Sequence, residues 1–117
     1  MEQTNVAIGV PAEDAIKELD RVLADPSFNA TETQRSLLRY LCEWTLAGWD
    51  ETRVTHGAAK EVFGRSGSNA VEDDPIVRIE TARLRVRLAQ FYTLTRWEGV
   101  TIELPKTQPL PLFKRSE

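Results

Sequence analysis

The spacing of the apolar residues changes near residue 99, and this change constrains the fold more than any other feature of the sequence. Upstream of it, apolar residues recur every three or four positions, as on the buried face of a helix. Downstream, Val100, Ile102 and Leu104 alternate with polar residues, which is the pattern of a half-buried strand. The segment "LPLFK" follows a turn-like "KTQP", and its prolines restrict it to the edge of a sheet. We therefore predict a mainly α protein with a small C-terminal β-hairpin.

Four helical segments precede the hairpin in this prediction: residues 11–24, 29–50, 51–64 and 75–95. Thr31 and Gln34 have the spacing of a capping box for the second helix, and Gly48 stands where a left-handed cap would end it. Asp74 can cap the fourth helix, with Pro75 in the first turn. The order helix, helix, helix, helix, hairpin follows from these signals.

The length of 117 residues allows one modest hydrophobic core. We expect a flexible tail over residues 1–10 and a single domain over residues 11–117. No apolar run approaches the roughly 20 residues of a membrane span, and the first ten residues have neither the basic nor the apolar region of a secretory signal. These features predict a cytoplasmic protein that does not bind membranes.

Residue types suited to catalysis or metal binding are scarce. Cys42 is the only cysteine and His56 the only histidine, which leaves no cysteine-based zinc site and no pair of imidazoles. The stretch "GRSGSN" lacks the lysine and the spacing of a phosphate-binding P-loop. We therefore predict that the protein is not an enzyme and has no cofactor, no metal site and no small-molecule ligand.

Charge is unevenly distributed along the chain. The net charge is −3, yet residues 1–74 hold 7 basic against 14 acidic residues, whereas residues 75–115 hold 8 basic against 3 acidic residues. A basic end on an acidic body indicates a polyanionic partner. The basic residues are densest over residues 78–87, where four arginines share ten positions with a single acid, Glu80.

The four arginines fall on both edges of the predicted exposed face of the fourth helix. At 100° per residue, its buried stripe contains Val77, Leu84, Leu88 and Phe91. One side of that stripe carries Arg78 and Arg85, and the other carries Arg83 and Arg87. The side opposite the stripe consists of small or apolar residues: Ile79, Ala82, Val86 and Ala89.

Two interpretations of this helix remain open from the residues alone. A helix that reads the major groove needs cations at its edges for the phosphates and uncharged residues at its centre for the base edges. Arginines also flank buried stripes without any partner, because they form helices well and extend along apolar surface. Ile79 and Val86 weaken the second interpretation, since β-branched apolar residues are unusual on a solvated face. They imply a ligand, a second subunit or a larger core.

Several short motifs occur in order along nearly the whole chain: "EVFGR", "DPIVR", "RLR" followed by an aromatic pair, and "IELPK". Together with "RVLADPSF" and "RSLLRYLCEWTLAG", they closely resemble a bacterial module that precedes TPR, TolB-like or adenylate-cyclase-like regions in larger proteins. That module is similar to the winged-helix DNA-binding domain of the OmpR/PhoB response regulators. The resemblance implies a winged helix-turn-helix with an extra N-terminal helix. It also implies that the third helix is a positioning helix, residues 75–95 the recognition helix and residues 100–113 the wing.

The chain departs from the module at four positions. Ala82 and Val86 replace basic residues on the recognition helix, and Thr107 and Pro109 replace a glycine and an aromatic residue at the tip of the wing. These changes remove cations from the helix and enrich the wing in proline.

The resemblance and the charge pattern together predict a sequence-specific protein that binds double-stranded DNA, acts as a small bacterial transcriptional regulator and inserts residues 75–95 into the major groove. The expected DNA contacts are Arg78, Thr81, Ala82, Arg83, Arg85 and Arg87 from the helix and Lys106 from the wing. A homodimer formed through the N-terminal helix, residues 11–24, would suit paired half-sites. The alternative is a winged-helix-derived module for protein–protein interaction that does not bind DNA, with Ile79, Val86 and "QPLPLF" as its contact surface.

Overall fold

Four helices and one antiparallel hairpin form the regular structure of the described part of the chain. The computed structural model describes residues 10–65, 75–106, 108 and 110–115. The helices are α1 (Ala12–Ala24), α2 (Glu32–Leu46), α3 (Glu51–Glu61) and α4 (Ile76–Thr95). The strands are β1 (Val100–Glu103) and β2 (Leu112–Arg115). The predicted mainly α architecture with a C-terminal hairpin is confirmed, and its assignment to the winged-helix class stays a prediction.

The local signals at the ends of α2 act as the sequence predicts. The side-chain oxygen of Thr31 accepts a hydrogen bond from the Gln34 amide at 3.0 Å, and Gln34 Oε1 accepts one from the Thr31 amide at 3.0 Å. Gly48 follows the helix with a φ of 95°, a conformation that glycine adopts without steric cost. At α4, Pro75 occupies the cap position, and the expected cap Asp74 lies outside the described residues.

The folded domain includes one residue of the expected tail. Val10, the last residue of that tail, is 1% exposed and belongs to the hydrophobic core. Residues 1–9 lie outside the described part of the chain.

The hairpin pairs β1 with β2 in antiparallel register. Ile102 lies opposite Phe113, and both side chains are buried. On the outer face, Glu103 forms an ion pair with Lys114. The predicted alternation of β1 is confirmed, because Val100, Ile102 and Leu104 are all buried. The expected tip residues Thr107 and Pro109 lie outside the described residues.

The core lies where α4 meets α2, α3 and β1, and α1 packs against α2 and β1. The four residues of the predicted α4 stripe are all at most 2% exposed: Val77, Leu84, Leu88 and Phe91. Phe91 packs edge-on against Phe28, with ring centroids 5.7 Å apart. Burial of such side chains stabilises the fold by about 1.5–3 kcal/mol each, so this stripe fixes which face of α4 remains exposed.

A buried carboxylate joins α1 to α4 and β1. Glu18 is 4% exposed and accepts two hydrogen bonds from Arg21, each 2.8 Å long. It also accepts one from the Tyr92 hydroxyl at 2.6 Å, and that hydroxyl accepts one from the Ile102 amide at 3.0 Å. The Arg21 guanidinium stacks over the Trp97 ring, 3.6 Å from its centroid. This network makes α1 an integral part of the domain.

The apolar stripe of α1 is used within the chain. Leu19 and Val22 are fully buried against the rest of the core, whereas Lys17 and Asp20 are exposed on the outer face. Any homodimer through α1 would therefore use this polar outer face. Among the described residues, no helix combines the length and the apolar character that crossing a membrane requires.

Candidate nucleic-acid interface

The exposed face of α4 is apolar at its centre and basic at its edges. Ile79 and Val86 are 42% and 53% exposed, although both are β-branched apolar residues. They lie opposite the buried stripe, with Ala82 half-buried beside them. By helical spacing, Arg78 and Arg85 border this face towards the hairpin, and Arg83 and Arg87 border it on the far side. The face defined by Ile79, Ala82 and Val86 is called the α4 outer face below.

Arg78 and Arg87 make no ion pair or hydrogen bond with any described residue. Arg78 is exposed and Arg87 is half-buried. Within the described part of the chain, nothing occupies the five donors of either guanidinium, which can bind solvent or a partner. They stand on opposite edges of the α4 outer face, as the sequence predicts for two phosphate contacts.

Arg83 is paired with an acid of the same helix. Its Nη1 lies 2.8 Å from Glu80 Oε2, and the Arg83 side chain stays 66% exposed. The other oxygen of Glu80 accepts a long hydrogen bond of 3.4 Å from Gln34 Nε2 on α2. Exposed ion pairs of this kind contribute about 0.2–1 kcal/mol, so the pair is weak enough to exchange Glu80 for a phosphate.

Arg85 is bound to the chain just after β1. Its Nε donates to the carbonyl oxygen of Leu104 at 2.7 Å, and its Nη2 donates to that of Pro105 at 3.0 Å. The side chain is half-buried. Arg85 therefore holds the hairpin against α4, a structural role that was missed in the sequence analysis because the two partners are 19 and 20 residues away.

Thr81 does not lie on the face of α4 where the sequence predicted it. It is 2% exposed, so it lies on the buried side of α4 and not on the face expected to meet base edges. Its hydroxyl has no hydrogen-bond partner within the described residues. The helical spacing could have revealed this burial, since Thr81 follows Val77 by four positions.

A cleft of about 280 Å³ separates the start of α3, the first half of α4 and the residues after β1. It is called the α3–α4 cleft below, and its lining residues are Glu51, Thr55, Val77, Arg78, Thr81, Arg85, Lys106 and Gln108. The structure thus brings together four of the predicted DNA contacts, Arg78, Thr81, Arg85 and Lys106. Glu51, Thr55 and Gln108 were not singled out from the sequence, because only tertiary contact places them here.

The lone cysteine has no chemical role suggested by its surroundings. Cys42 is buried in α2, and this burial raises the pKa of its thiol well above the ordinary value of 9.0. The reactive form of a cysteine is the thiolate, so this thiol is inert in the folded protein. Within the described ranges, no three His, Cys, Asp or Glu residues converge as a metal site would require.

Comparisons with protein families, with curated proteins and with solved structures return no match for this chain.

Proposed function

We propose that this protein binds double-stranded DNA as a winged helix, with α4 in the major groove and the β1–β2 hairpin as the wing. The observation that carries the proposal is the α4 outer face, where Arg78 and Arg87, which have no partner among the described residues, flank the exposed Ile79 and Val86. A helix in the major groove meets phosphates at its two edges and base edges at its centre. The resemblance of the motifs to a winged-helix module supports the same assignment.

The proposed contacts follow from exposure and pairing. Arg78 and Arg87 contact phosphates on the two sides of the groove, and Arg83 joins them by exchanging Glu80 for a phosphate. Ile79 and Val86 approach thymine methyl groups, which are the apolar feature of the major groove. Lys106, exposed next to the cleft, reaches the backbone from the wing. Arg85 holds the wing in place.

The proposed biological role is that of a small transcriptional regulator which acts at its DNA site as a homodimer. Two copies on adjacent half-sites would double the number of base contacts. A dimer could therefore be specific although each copy contributes few cations. Analytical ultracentrifugation with and without a selected DNA site measures this stoichiometry, and a complex of one copy per site would contradict the dimer.

The test is fluorescence anisotropy with a pool of random duplex DNA across about 50–200 mM salt, where each phosphate contact contributes about −0.9 to the log–log salt slope. We expect Arg78→Ala/Arg87→Ala to lose most of the affinity and to flatten the slope. Lys17→Ala/Arg39→Ala is the matched control, since it removes the same charge from exposed positions on α1 and α2. Flat traces for the folded wild type, or equal losses in both double variants, would contradict DNA binding.

One observation favours a second candidate, an interaction module for another protein. Ile79, Val86 and Leu94 are 42%, 53% and 71% exposed on one helix, and exposed apolar patches often mark protein contacts. For this function, Val86→Glu should abolish partner capture, whereas Arg78→Ala/Arg87→Ala should leave it nearly intact. An affinity that does not fall as the salt concentration rises would distinguish this candidate from DNA binding.

A further inference from the structure

The α3–α4 cleft carries an excess of positive charge from two separate parts of the chain. Arg78 and Arg85 extend from α4, and Lys106 extends from the segment after β1, while Glu51 is the one acid among the described residues of the lining. Arg78 and Lys106 have no ion pair within the described residues. Arg85 uses Nε and Nη2 for two carbonyl oxygens, and no described acid pairs with its positive charge. The cleft is therefore suited to an anion.

A second, independent feature of the cleft is the unpaired hydroxyl of Thr81. This residue is 2% exposed and lines the cleft, and its oxygen has no hydrogen-bond partner within the described part of the chain. Buried hydroxyls are nearly always paired, because an unpaired one has given up its water without compensation. The oxygen itself is closed to solvent, so an acceptor in the cleft would satisfy it after a rotation about χ1 that turns the hydroxyl towards the cleft. The hydroxyl of Thr55, in contrast, already donates to the Glu51 carbonyl at 2.8 Å.

We propose that the α3–α4 cleft binds one phosphate group, held by the charges of Arg78, Lys106 and Arg85 and by a hydrogen bond from the Thr81 hydroxyl. A phosphate has several strong acceptor oxygens, so it can accept from a guanidinium, an ammonium and a hydroxyl at once. The size of the cleft suits a phosphate group rather than a large organic ligand. The phosphate belongs either to a free phosphorylated molecule or to a nucleic-acid backbone. The site does not depend on DNA binding, because its charges act on any phosphate.

The experiment uses inorganic phosphate as the probe and follows amide shifts of the full chain by ¹H–¹⁵N correlation spectroscopy. Sodium chloride at matched ionic strength is the reference titration. We expect saturable shifts centred on Thr81, Arg78 and Lys106 with phosphate and none with chloride. Arg78→Gln and Lys106→Gln should each weaken phosphate binding by about tenfold, which corresponds to the loss of one charge-assisted contact. Glu51→Gln should strengthen it.

Thr81→Val separates a ligand contact from a structural role. The valine keeps the shape of the side chain and removes the unpaired hydroxyl, so the thermal stability of the free protein should be unchanged or higher. Phosphate affinity should nevertheless fall by about fivefold or more. Lys17→Gln, at an exposed position on α1, should bind phosphate like the wild type. Shifts that do not saturate, or equal losses in Lys17→Gln and Arg78→Gln, would overturn the proposal, as would unchanged affinity in Thr81→Val.

A second arm identifies the source of the phosphate once a site is established. Short duplex DNA is titrated in the presence and absence of saturating inorganic phosphate at constant ionic strength. Competition assigns the cleft to a backbone phosphate, and simultaneous binding assigns it to a free phosphorylated molecule. If DNA does not bind at all while phosphate does, the proposed function fails and the phosphate site stands.

Discussion

Arg85 on α4 donates a 2.7 Å hydrogen bond to the carbonyl oxygen of Leu104, directly after β1. A second bond from the same guanidinium reaches Pro105 at 3.0 Å. The planar guanidinium presents both donors at once, a geometry that a lysine cannot reproduce. The position of the hairpin relative to α4 therefore depends on a residue that, by sequence, looks like a DNA contact.

We expect Arg85→Ala to lower the free energy of unfolding by about 2 kcal/mol, because two hydrogen bonds from a charged donor are lost. Arg85→Lys should recover little of this. Arg78→Ala is the matched change, two turns away on the same edge of α4. It should alter stability by less than about 0.5 kcal/mol. Urea denaturation followed by tryptophan fluorescence measures all three. Equal stability of the Arg85 and Arg78 variants would contradict the structural role.

The Tyr92 hydroxyl should stabilise the docking of α1. Tyr92→Phe removes the bond to Glu18 and the acceptor for the Ile102 amide, which should cost about 1–3 kcal/mol. Tyr40→Phe is the control, since no hydrogen bond of that hydroxyl connects two elements among the described residues. Urea denaturation measures the free energy of unfolding of both variants. Equally small losses in the two would contradict a role of the Tyr92 hydroxyl in docking α1.

Alkaline pH should destabilise the protein through two buried acids. Burial raises the pKa of Tyr92 above its ordinary 10.0, with the hydrogen bond to Glu18 acting in the same direction, and burial raises the pKa of Cys42 above its ordinary 9.0. Both groups stay neutral in the folded chain but ionise in the unfolded chain. Their contribution is therefore complete below about pH 9 and is lost as the pH rises, by up to about 1.4 kcal/mol per pH unit for each group.

The measurement is urea denaturation between about pH 8 and pH 11. Cys42→Ala should flatten the decline that begins near the ordinary pKa of 9.0, and Tyr92→Phe the part that begins near 10.0. Each variant is compared with the wild type at the same pH, so that the effect of lysine deprotonation, which is common to all three proteins, cancels. A decline with the same slope in all three proteins would show that these two groups do not cause it.

Elements with local signals could be predicted from the sequence. The capping box of Thr31 and Gln34, the left-handed Gly48 and the alternation of β1 each depend on neighbours within a few positions, and the structure contains all three. The exposed position of Ile79 and Val86 followed equally well from helical spacing. These signals fix the two ends of α2, the strand β1 and the exposed face of α4.

Tertiary partners could not be predicted in the same way. Glu18 is buried because Tyr92, 74 positions away, donates to it, and no local pattern carries that information. Thr81 is a different case. Its spacing from Val77 puts it next to the buried stripe, yet its residue type led to its being expected among the DNA contacts. For candidate sites, helical phase was therefore a better guide than residue type.

The ion pair between Arg83 and Glu80 should restrain DNA binding, because a phosphate must displace the carboxylate that lies 2.8 Å from Arg83. Glu80→Gln keeps an acceptor for Gln34, releases Arg83 and removes a negative charge from the edge of the α4 outer face. We expect DNA affinity to rise by up to about fivefold at low salt, in line with the strength of an exposed pair. Glu43→Gln is the matched control, since Glu43 pairs with Arg39 on α2. Anisotropy titrations of the two variants distinguish a local effect from one of net charge: an equal gain in both would assign it to net charge, and no gain in Glu80→Gln would remove Arg83 from the interface.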